Sequence, residues 1–255
     1  MIDHHLQALA GQDWFLAVDL LGTFAFALSG VIIAREENYS FFGCLVMALL
    51  PGVGGGLIRD VILDRSPPAI IESPVYVLLI LATVALSIGF LKTIDRLRGR
   101  SLVFFDLVAW FVQQRRRLPP MTLLGVSDAI GLATFTVIGV LVAHRYDADP
   151  LWLWGPAFAA LTSSGGGIVR DVVRARADNP TLKGAFYAEI SVFWGAVYSV
   201  FIVWIEPLAW VTLPVIIAAT LFVMLGAFSM RMVAMRRNYR APLVSAGRLA
   251  PRENW

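Results

Sequence analysis

Two sets of charged residues in this 255-residue chain follow one pattern, in which an aspartate is followed, further along, by an adjacent arginine and aspartate. The sets are Asp19 with Arg59 and Asp60, and Asp128 with Arg170 and Asp171. A guanidinium beside a carboxylate forms an ion pair, and a carboxylate left over can attract a cation. We expect the first aspartate of each set to pair with the arginine, although either aspartate of a set could be its partner.

Each arginine–aspartate pair comes three residues after a run of three glycines. The runs are Gly54, Gly55 and Gly56, and Gly165, Gly166 and Gly167. Each glycine inside a helix costs about 1 kcal/mol relative to alanine, so both helices are predicted to kink or unwind here. Irregular backbone at membrane depth must face protein or water, which favours an aqueous route beside the triplets. The alternative is close helix packing, since Gly52 and Gly56 have small-xxx-small spacing.

Several hydroxyl side chains fall on the same stretches and could line such a route. They are Thr23, Ser29, Thr134, Thr136, Ser163 and Ser164. The alternative for each is a hydrogen bond to the preceding turn of its own helix. One further acid, Glu189, has no equivalent in the first set, and we expect it to pair with a nearby arginine at the membrane interface.

The composition places these groups in a membrane protein. Hydrophobic residues make up 58% of the chain, charged residues only 15%, and the mean hydropathy is +0.72, which excludes most soluble, secreted and disordered classes. One cysteine and three histidines leave little for a disulfide or a transition-metal centre, so we expect no metal and no cofactor. No nucleophile and base recur in a catalytic pattern, and we do not expect an enzyme.

Apolar stretches of the length needed to cross a bilayer occur seven times. A core of about 30 Å requires roughly 20 apolar residues in a helix. The predicted spans are Trp14 to Ala34, Ser40 to Ile58, Ser73 to Leu91, Met121 to Ala143, Leu151 to Val169, Gly184 to Ile205 and Pro207 to Met230. Residues 1–13 contain no lysine or arginine, so the first span is predicted to be retained and not cleaved as a signal peptide.

The basic residues predict the orientation, because short cytoplasmic connections retain lysine and arginine. With the amino terminus outside, 17 of the 21 basic residues fall in predicted cytoplasmic segments. The carboxyl-terminal segment 231–255 is then a basic cytoplasmic tail. We interpret the net charge of +3 as a sign of topology and expect no nucleic-acid partner.

The chain is internally duplicated. Asp19, Gly22, Gly30 and Ala34 recur at a shift of 109, and 54–61 and Tyr76 recur at a shift of 111. Each copy has three spans, an odd number, so the copies must cross the membrane in opposite directions. The predicted fold is all-α and integral to the membrane, a single domain over 1–230. It comprises repeat one (14–91), a cytoplasmic linker (92–120), an inverted repeat two (121–205) and a seventh helix (207–230).

Inverted repeats are typical of proteins that move solutes along the interface between their halves. The alternative is a duplication that merely enlarged a helix bundle. The glycine triplets with arginine and aspartate, together with Asp128, Gly131, Phe135, Thr136 and Gly139 at their spacings, resemble the prokaryotic branch of the trimeric intracellular cation channel family. Members of this branch are also catalogued as glycine-transporter-like membrane domains.

The resemblance implies a homotrimer in the plasma (inner) membrane. Each subunit would have its own pore for potassium and sodium, lined by the first, second, fourth and fifth helices. The segment 99–120 departs from the family pattern, and we interpret it as an interfacial helix touching anionic lipids or as a solvated linker. The animal relatives' lysine-bearing lipid motif has no match, so phosphoinositide regulation is not implied.

Two functions are compatible with the sequence. The first is a passive channel for monovalent cations, which would meet backbone carbonyls at the glycine triplets and carboxylates at the mouths. The second is a secondary transporter of a small zwitterion such as glycine. The residue patterns favour neither, and the family resemblance favours the channel.

Overall fold

The computed structural model describes residues 13–98, 123–175, 180–183, 186–205 and 212–239. Within these ranges all regular secondary structure is helical. The helices are α1 (Asp13–Glu36), α2 (Phe41–Ile62), α3 (Ala69–Glu72), α4 (Val75–Arg98), α5 (Leu123–Arg145), α6 (Leu151–Val173), α7 (Pro180–Lys183), α8 (Ala188–Ile205) and α9 (Leu213–Arg237). The predicted interfacial segment 99–120 and the tail beyond residue 239 lie outside the described residues.

Five helices are long and apolar enough to cross a membrane, namely α1, α2, α5, α8 and α9. In α4 the apolar stretch is shorter, Val75–Phe90. Helix α6 has 23 residues, but its glycines, serines and tryptophans reduce its hydropathy. The protein is therefore an all-helical membrane protein, while the count of seven spans stays a prediction.

The predicted unwinding at the glycine triplets is wrong, while a kink there stays a prediction. Both α2 and α6 continue as α-helices through their triplets, even though Pro51 and Pro156 also lie inside them. The glycines instead allow the two helices to cross closely. A Cβ on Gly55 would lie 2.1 Å from the Thr162 carbonyl oxygen, and one on Gly166 would lie 2.7 Å from the Leu50 carbonyl oxygen. The packing alternative therefore explains the triplets, because the close approach of two backbones offsets the helix penalty of glycine.

Other glycines of the two copies make equivalent contacts. A Cβ on Gly30 in α1 would collide with the backbone of α2 at Met47, and one on Gly139 in α5 would collide with the backbone of α6 at Phe158. Two core clusters follow the same division, one joining α1, α2 and α4 and the other joining α5, α6, α8 and α9. A further cluster crosses it and joins Phe26 of α1 to α5, α8 and α9. Corresponding residues thus have corresponding packing roles, while the opposite orientation of the copies stays a prediction.

Helix α9 differs from its predicted bounds at the carboxyl end. It continues to Arg237, where Asn238 closes it in the left-handed conformation, so residues 231–237 belong to the helix and not to the predicted tail. Arg231 is buried, with 8% exposure, and reaches into the bundle. The sequence places Arg231 in the tail because its neighbours along the chain do not distinguish it from the arginines that follow.

Candidate functional site

The first mouth is the group formed by Asp19 on α1, Arg59 and Asp60 on α2, and Tyr76 on α4. Nε and Nη2 of Arg59 donate to Asp60 Oδ1 at 2.9 and 2.7 Å. The hydroxyl of Tyr76 donates to Asp19 Oδ2 at 2.5 Å. The predicted Asp19–Arg59 ion pair is therefore wrong, and the alternative partner, Asp60, is the one used. The Asp60 carboxylate, next in sequence, reaches the Arg59 guanidinium at the end of α2. Asp19 is instead hydrogen-bonded by Tyr76 from α4.

The second carboxylate oxygen of Asp60 ties the first mouth to the loop beyond α2. Oδ2 accepts a hydrogen bond from the Ala69 amide at 2.9 Å and lies 3.8 Å from Arg65 Nη1. Arg65 also donates to Glu72 at 2.7 Å. Its guanidinium carbon lies 5.8 Å from the centre of the Tyr146 ring, which follows α5. This mouth is thus connected to the second half of the chain through a loop contact.

The second mouth is the group formed by Asp128 on α5, Arg170 and Asp171 on α6, Tyr187, and Arg231 on α9. Arg170 Nε donates to Asp171 Oδ1 at 3.1 Å, and its Nη1 lies 3.8 Å from Asp128 Oδ1. Both aspartates of this set therefore contact the arginine, and the sequential neighbour is the closer one. The hydroxyl of Tyr187 donates to Asp128 Oδ1 at 3.2 Å, which reproduces the tyrosine–aspartate contact of the first mouth.

A basic residue from the last helix completes the second mouth. Arg231 Nη2 lies 3.7 Å from Asp128 Oδ2, and Nη1 donates to the Phe186 carbonyl oxygen at 2.7 Å. The guanidinium carbon lies 4.6 Å from the Tyr187 ring centre, within cation–π range. Sequence reasoning missed this role. It also assigned no role to Tyr76 and Tyr187, although their recurrence at the shift of 111 was visible.

A salt bridge beside the second mouth joins the two halves of the chain. Arg174, at the end of α6, pairs with Glu37, which follows α1, and its Nη1 lies 3.3 Å from Asp171. The hydrogen bond to Glu37 raises the pKa of Arg174, so the guanidinium remains protonated. Asp171 Oδ2 also accepts from the Thr181 hydroxyl at 2.6 Å. The second mouth is therefore a network of polar contacts among α1, α5, α6 and α9.

The six hydroxyl residues named as possible pore lining all donate to carbonyl oxygens of their own helices. The bonds are Thr23 to Asp19, Ser29 to Phe26, Thr134 to Ile130, Thr136 to Leu132, and Ser163 and Ser164 to Ala160. Of the six, Thr23 also lines a cavity. Glu189 accepts a hydrogen bond from the Tyr187 amide at 3.0 Å at the start of α8, and its pairing with a nearby arginine stays a prediction.

Two cavities lie at opposite ends of α1, and they differ in size. The cavity at the first mouth has about 20 Å³ of space for the centre of a water molecule, room for about one water. The lining of this cavity includes Asp19, Arg59, Tyr76 and Thr162. Arg59 Nη1 and Thr162 Oγ1 are buried there without hydrogen-bond partners. Both atoms could therefore hydrogen-bond to a water in this cavity.

The cavity at the second mouth is much larger, about 290 Å³, and opens between α1, α5, α6 and α9. Asp128, Arg170, Arg174, Tyr187 and Arg231 line it. In the described part of the chain, no cluster of histidine, cysteine, aspartate and glutamate could hold a metal ion. The arrangement is two polar mouths with cavities of very different size at opposite ends of the helix bundle.

Comparison with known proteins identifies relatives of this chain. The family described as Glycine transporter matches residues 16–92 and 125–204. The UPF0126 inner membrane protein YadS of Escherichia coli K12 is 35% identical over 182 residues, 71% of this chain and 76% of its own length. A UPF0126 membrane protein of Vibrio cholerae is 34% identical over 178 residues, 70% of this chain and 64% of its own length.

Solved structures of TRIC channels share the fold. A structure described in connection with conductance through TRIC cation channels superposes with a TM-score of 0.64 at 24% identity, covering 91% of this chain and 98% of its own. The TRIC orthologue from Rhodobacter sphaeroides gives 0.61 at 22% identity over 87% of this chain and 97% of its own. The chain therefore belongs to the membrane-protein family described as Glycine transporter, and its fold is that of the TRIC cation channels.

Proposed function

We propose that the protein is a channel for monovalent cations, potassium and sodium, with a pore inside each subunit. The pathway runs between the two repeats, among α1, α2, α5 and α6, from the first mouth to the second. The observation that carries the proposal is the pair of cavities at opposite ends of α1, each lined by an aspartate, a tyrosine and an arginine. Solved structures with this fold are described as cation channels, which supports the same function here.

The charges of the mouths favour cations over anions. Arg59 and Arg170 are each bonded to the next aspartate in sequence, so their positive charge is largely offset. Asp19 also faces the cavity of the first mouth, and Asp128 and Glu36 face that of the second. A carboxylate at a constriction attracts a cation and can replace part of its water shell. The arginines then hold the aspartates in place and do not act as anion sites.

Opening of this pathway requires the first mouth to widen. Its cavity holds about one water, and Tyr76 is hydrogen-bonded across it to Asp19. A hydrated potassium ion is larger than a single water, so the hydrated ion does not fit this cavity. We interpret the structure as a closed state whose second mouth is already accessible.

The second candidate is secondary transport of a small zwitterion such as glycine. The unequal cavities favour it, because a transporter that alternates access opens one mouth at a time. The description of the matching family as Glycine transporter points the same way. Transport by this route would require the cavity at the first mouth to enlarge, since one water's space does not hold glycine.

Recording from purified protein in planar bilayers separates the two candidates. A channel gives discrete current steps that reverse at the potassium or sodium equilibrium potential. A transporter gives saturable uptake of labelled glycine into liposomes without such steps. Asp128→Asn should lower the unitary cation current, whereas Asp147→Asn, at an exposed loop position that tolerates asparagine, should leave it unchanged. Absence of steps together with saturable glycine uptake refutes the channel.

We propose further that the functional unit is a homotrimer in the inner membrane, with the amino terminus outside and the carboxyl terminus in the cytoplasm. The first mouth is then external and the second cytoplasmic. Its partners are other copies of itself and membrane lipids, and we propose no nucleic-acid partner. Crosslinking in mild detergent tests the trimer, and cysteine labelling at Asp147 and Asn238 from either side of the membrane tests the orientation.

A further inference from the structure

Two phenylalanines lie between the two cavities. On α1, Phe26 follows Thr23, which lines the cavity of the first mouth, and precedes Ile33, which lines that of the second. On α5, Phe135 lies two turns beyond Asp128 of the second mouth and itself borders the cavity of the first. Any route that connects the two mouths between α1 and α5 therefore meets this pair of rings.

The two rings contact each other and are enclosed. Their centres lie 5.3 Å apart with an angle of 62° between the ring planes, and the residues are 1% and 3% exposed. Edge-to-face pairs of this geometry are favourable. The positions correspond in the two copies, since Phe26 recurs as Phe135 at the shift of 109. The contact thus joins one ring from each copy.

Each ring lies over a glycine of the opposite helix. A Cβ on Gly22 in α1 would lie 2.5 Å from the Phe135 ring, and one on Gly131 in α5 would lie 2.5 Å from the Phe26 ring. These glycines also correspond at the shift of 109. Glycine at both positions leaves room for the rings between the helices, so the pair occupies space that both copies provide.

Neighbouring hydroxyls direct their protons to carbonyl oxygens of their own helices. Thr23 donates to the Asp19 carbonyl oxygen at 3.0 Å, and Ser29 to the Phe26 carbonyl oxygen at 2.8 Å. Thr134 donates to the Ile130 carbonyl oxygen at 2.5 Å. At the contact itself the two rings present only carbon, and narrow apolar constrictions exclude water and ions because an ion loses water there without gaining ligands from the rings.

We propose that the Phe26–Phe135 pair is the hydrophobic barrier of the pathway, and that ions pass only when the two rings separate. The inference rests on the proposed channel function, and it places the main barrier at the contact between the two copies. The polar mouths then act as entrances on either side of a dry constriction.

The test compares polar and apolar replacements of one ring by potassium flux from liposomes and by single-channel recording. Phe135→Asn introduces groups that hold water, and we expect the resting potassium leak to rise about tenfold or more. Phe135→Leu keeps the site apolar, and we expect a leak within about threefold of the unmodified protein. Phe158→Asn is the matched control, because Phe158 is equally buried but lines neither of these cavities.

Size-exclusion profiles and thermal unfolding establish that each variant is folded. If Phe135→Asn does not fold, Phe26→Tyr provides the same comparison, because it retains the ring and adds one hydroxyl to the constriction. The proposed barrier is refuted if the unmodified protein conducts while the folded polar variants leak no more potassium than it does. It is also refuted if Phe158→Asn leaks as much potassium as Phe135→Asn. If neither the unmodified protein nor any variant conducts, the proposed function itself fails.

Discussion

Tyr187 donates a hydrogen bond to Asp128 at 3.2 Å, and this contact at the second mouth has a counterpart at the first, where Tyr76 donates to Asp19 at 2.5 Å. Tyr76 lies in α4, the third long helix of the first copy, and Tyr187 directly precedes α8, the third long helix of the second copy. Each tyrosine donates to an aspartate in the first helix of its own copy, α1 or α5. Because the sequence shifts that relate the two tyrosines and the two aspartates are those of the duplication, the contact is a common element of both copies.

Replacing Tyr76 by phenylalanine removes the only hydrogen bond that the described residues donate to the Asp19 side chain. A buried acceptor left without its donor costs about 1–3 kcal/mol of folding stability. We expect a lower thermal unfolding temperature and, in the channel, longer or more frequent openings because the first mouth is released. Tyr198→Phe is the control, since Tyr198 is also buried and bonded, to Thr220, but belongs to neither mouth. Equal gating changes in both variants would contradict the proposed role.

Replacing Arg231 by methionine removes a cation that contacts Asp128, the Phe186 carbonyl oxygen and the Tyr187 ring. Removing one partner of a buried charge network costs about 3–5 kcal/mol. We expect reduced thermal stability and an altered unitary current, because Asp128 is less firmly held. Arg237→Met, on the same helix and solvent-exposed, should change neither quantity. A stable Arg231→Met protein with unchanged current would exclude Arg231 from the second mouth.

Replacing Gly55 by alanine puts a methyl group where a backbone carbonyl already lies, 2.1 Å away at Thr162. Neither backbone can yield without separating α2 from α6, so we expect destabilisation of more than about 3 kcal/mol or loss of the folded protein. Gly89→Ala in α4 is the control, because no described atom beyond its own helix turn lies within 4 Å of the added methyl group. That variant should be neutral or more stable by up to about 1 kcal/mol. Thermal unfolding in detergent measures both, and an unimpaired Gly55→Ala protein would refute the close crossing.

Exchanging the charges of Arg174 and Glu37 tests the bridge that joins the two halves beside the second mouth. Arg174→Glu alone places two carboxylates together and should lower stability by about 1–3 kcal/mol, and the further change Glu37→Arg should recover part of the loss. The pKa of Arg174 is raised, so its contribution is present at neutral pH and is lost only when the pH rises through the pKa of the folded state, in strongly alkaline solution. Melting temperatures of the single and double variants measure the coupling, and purely additive effects would mean that the bridge contributes nothing.

The amino-acid sequence by itself determined the class of protein and pointed to the aspartates and the arginine–aspartate pairs of the two mouths. Long uncharged stretches require a membrane environment, because water would not tolerate so much apolar surface. The few charges inside or directly after these stretches include Asp19, Asp128 and the two arginine–aspartate pairs, and the duplication relates one set to the other. Such inferences succeed because they depend on composition and on spacing along the chain.

Only the tertiary structure decided which partner each of these groups has. The helix penalty of Gly54 to Gly56 predicts a break, but the energy gained where α2 crosses α6 depends on a helix more than a hundred residues away. For the same reason, sequence spacing could not distinguish Asp19 from Asp60 as the partner of Arg59 or place Arg231 at the second mouth. The contact between Phe26 and Phe135 is likewise a property of the assembled halves, since each ring needs the glycine of the other helix.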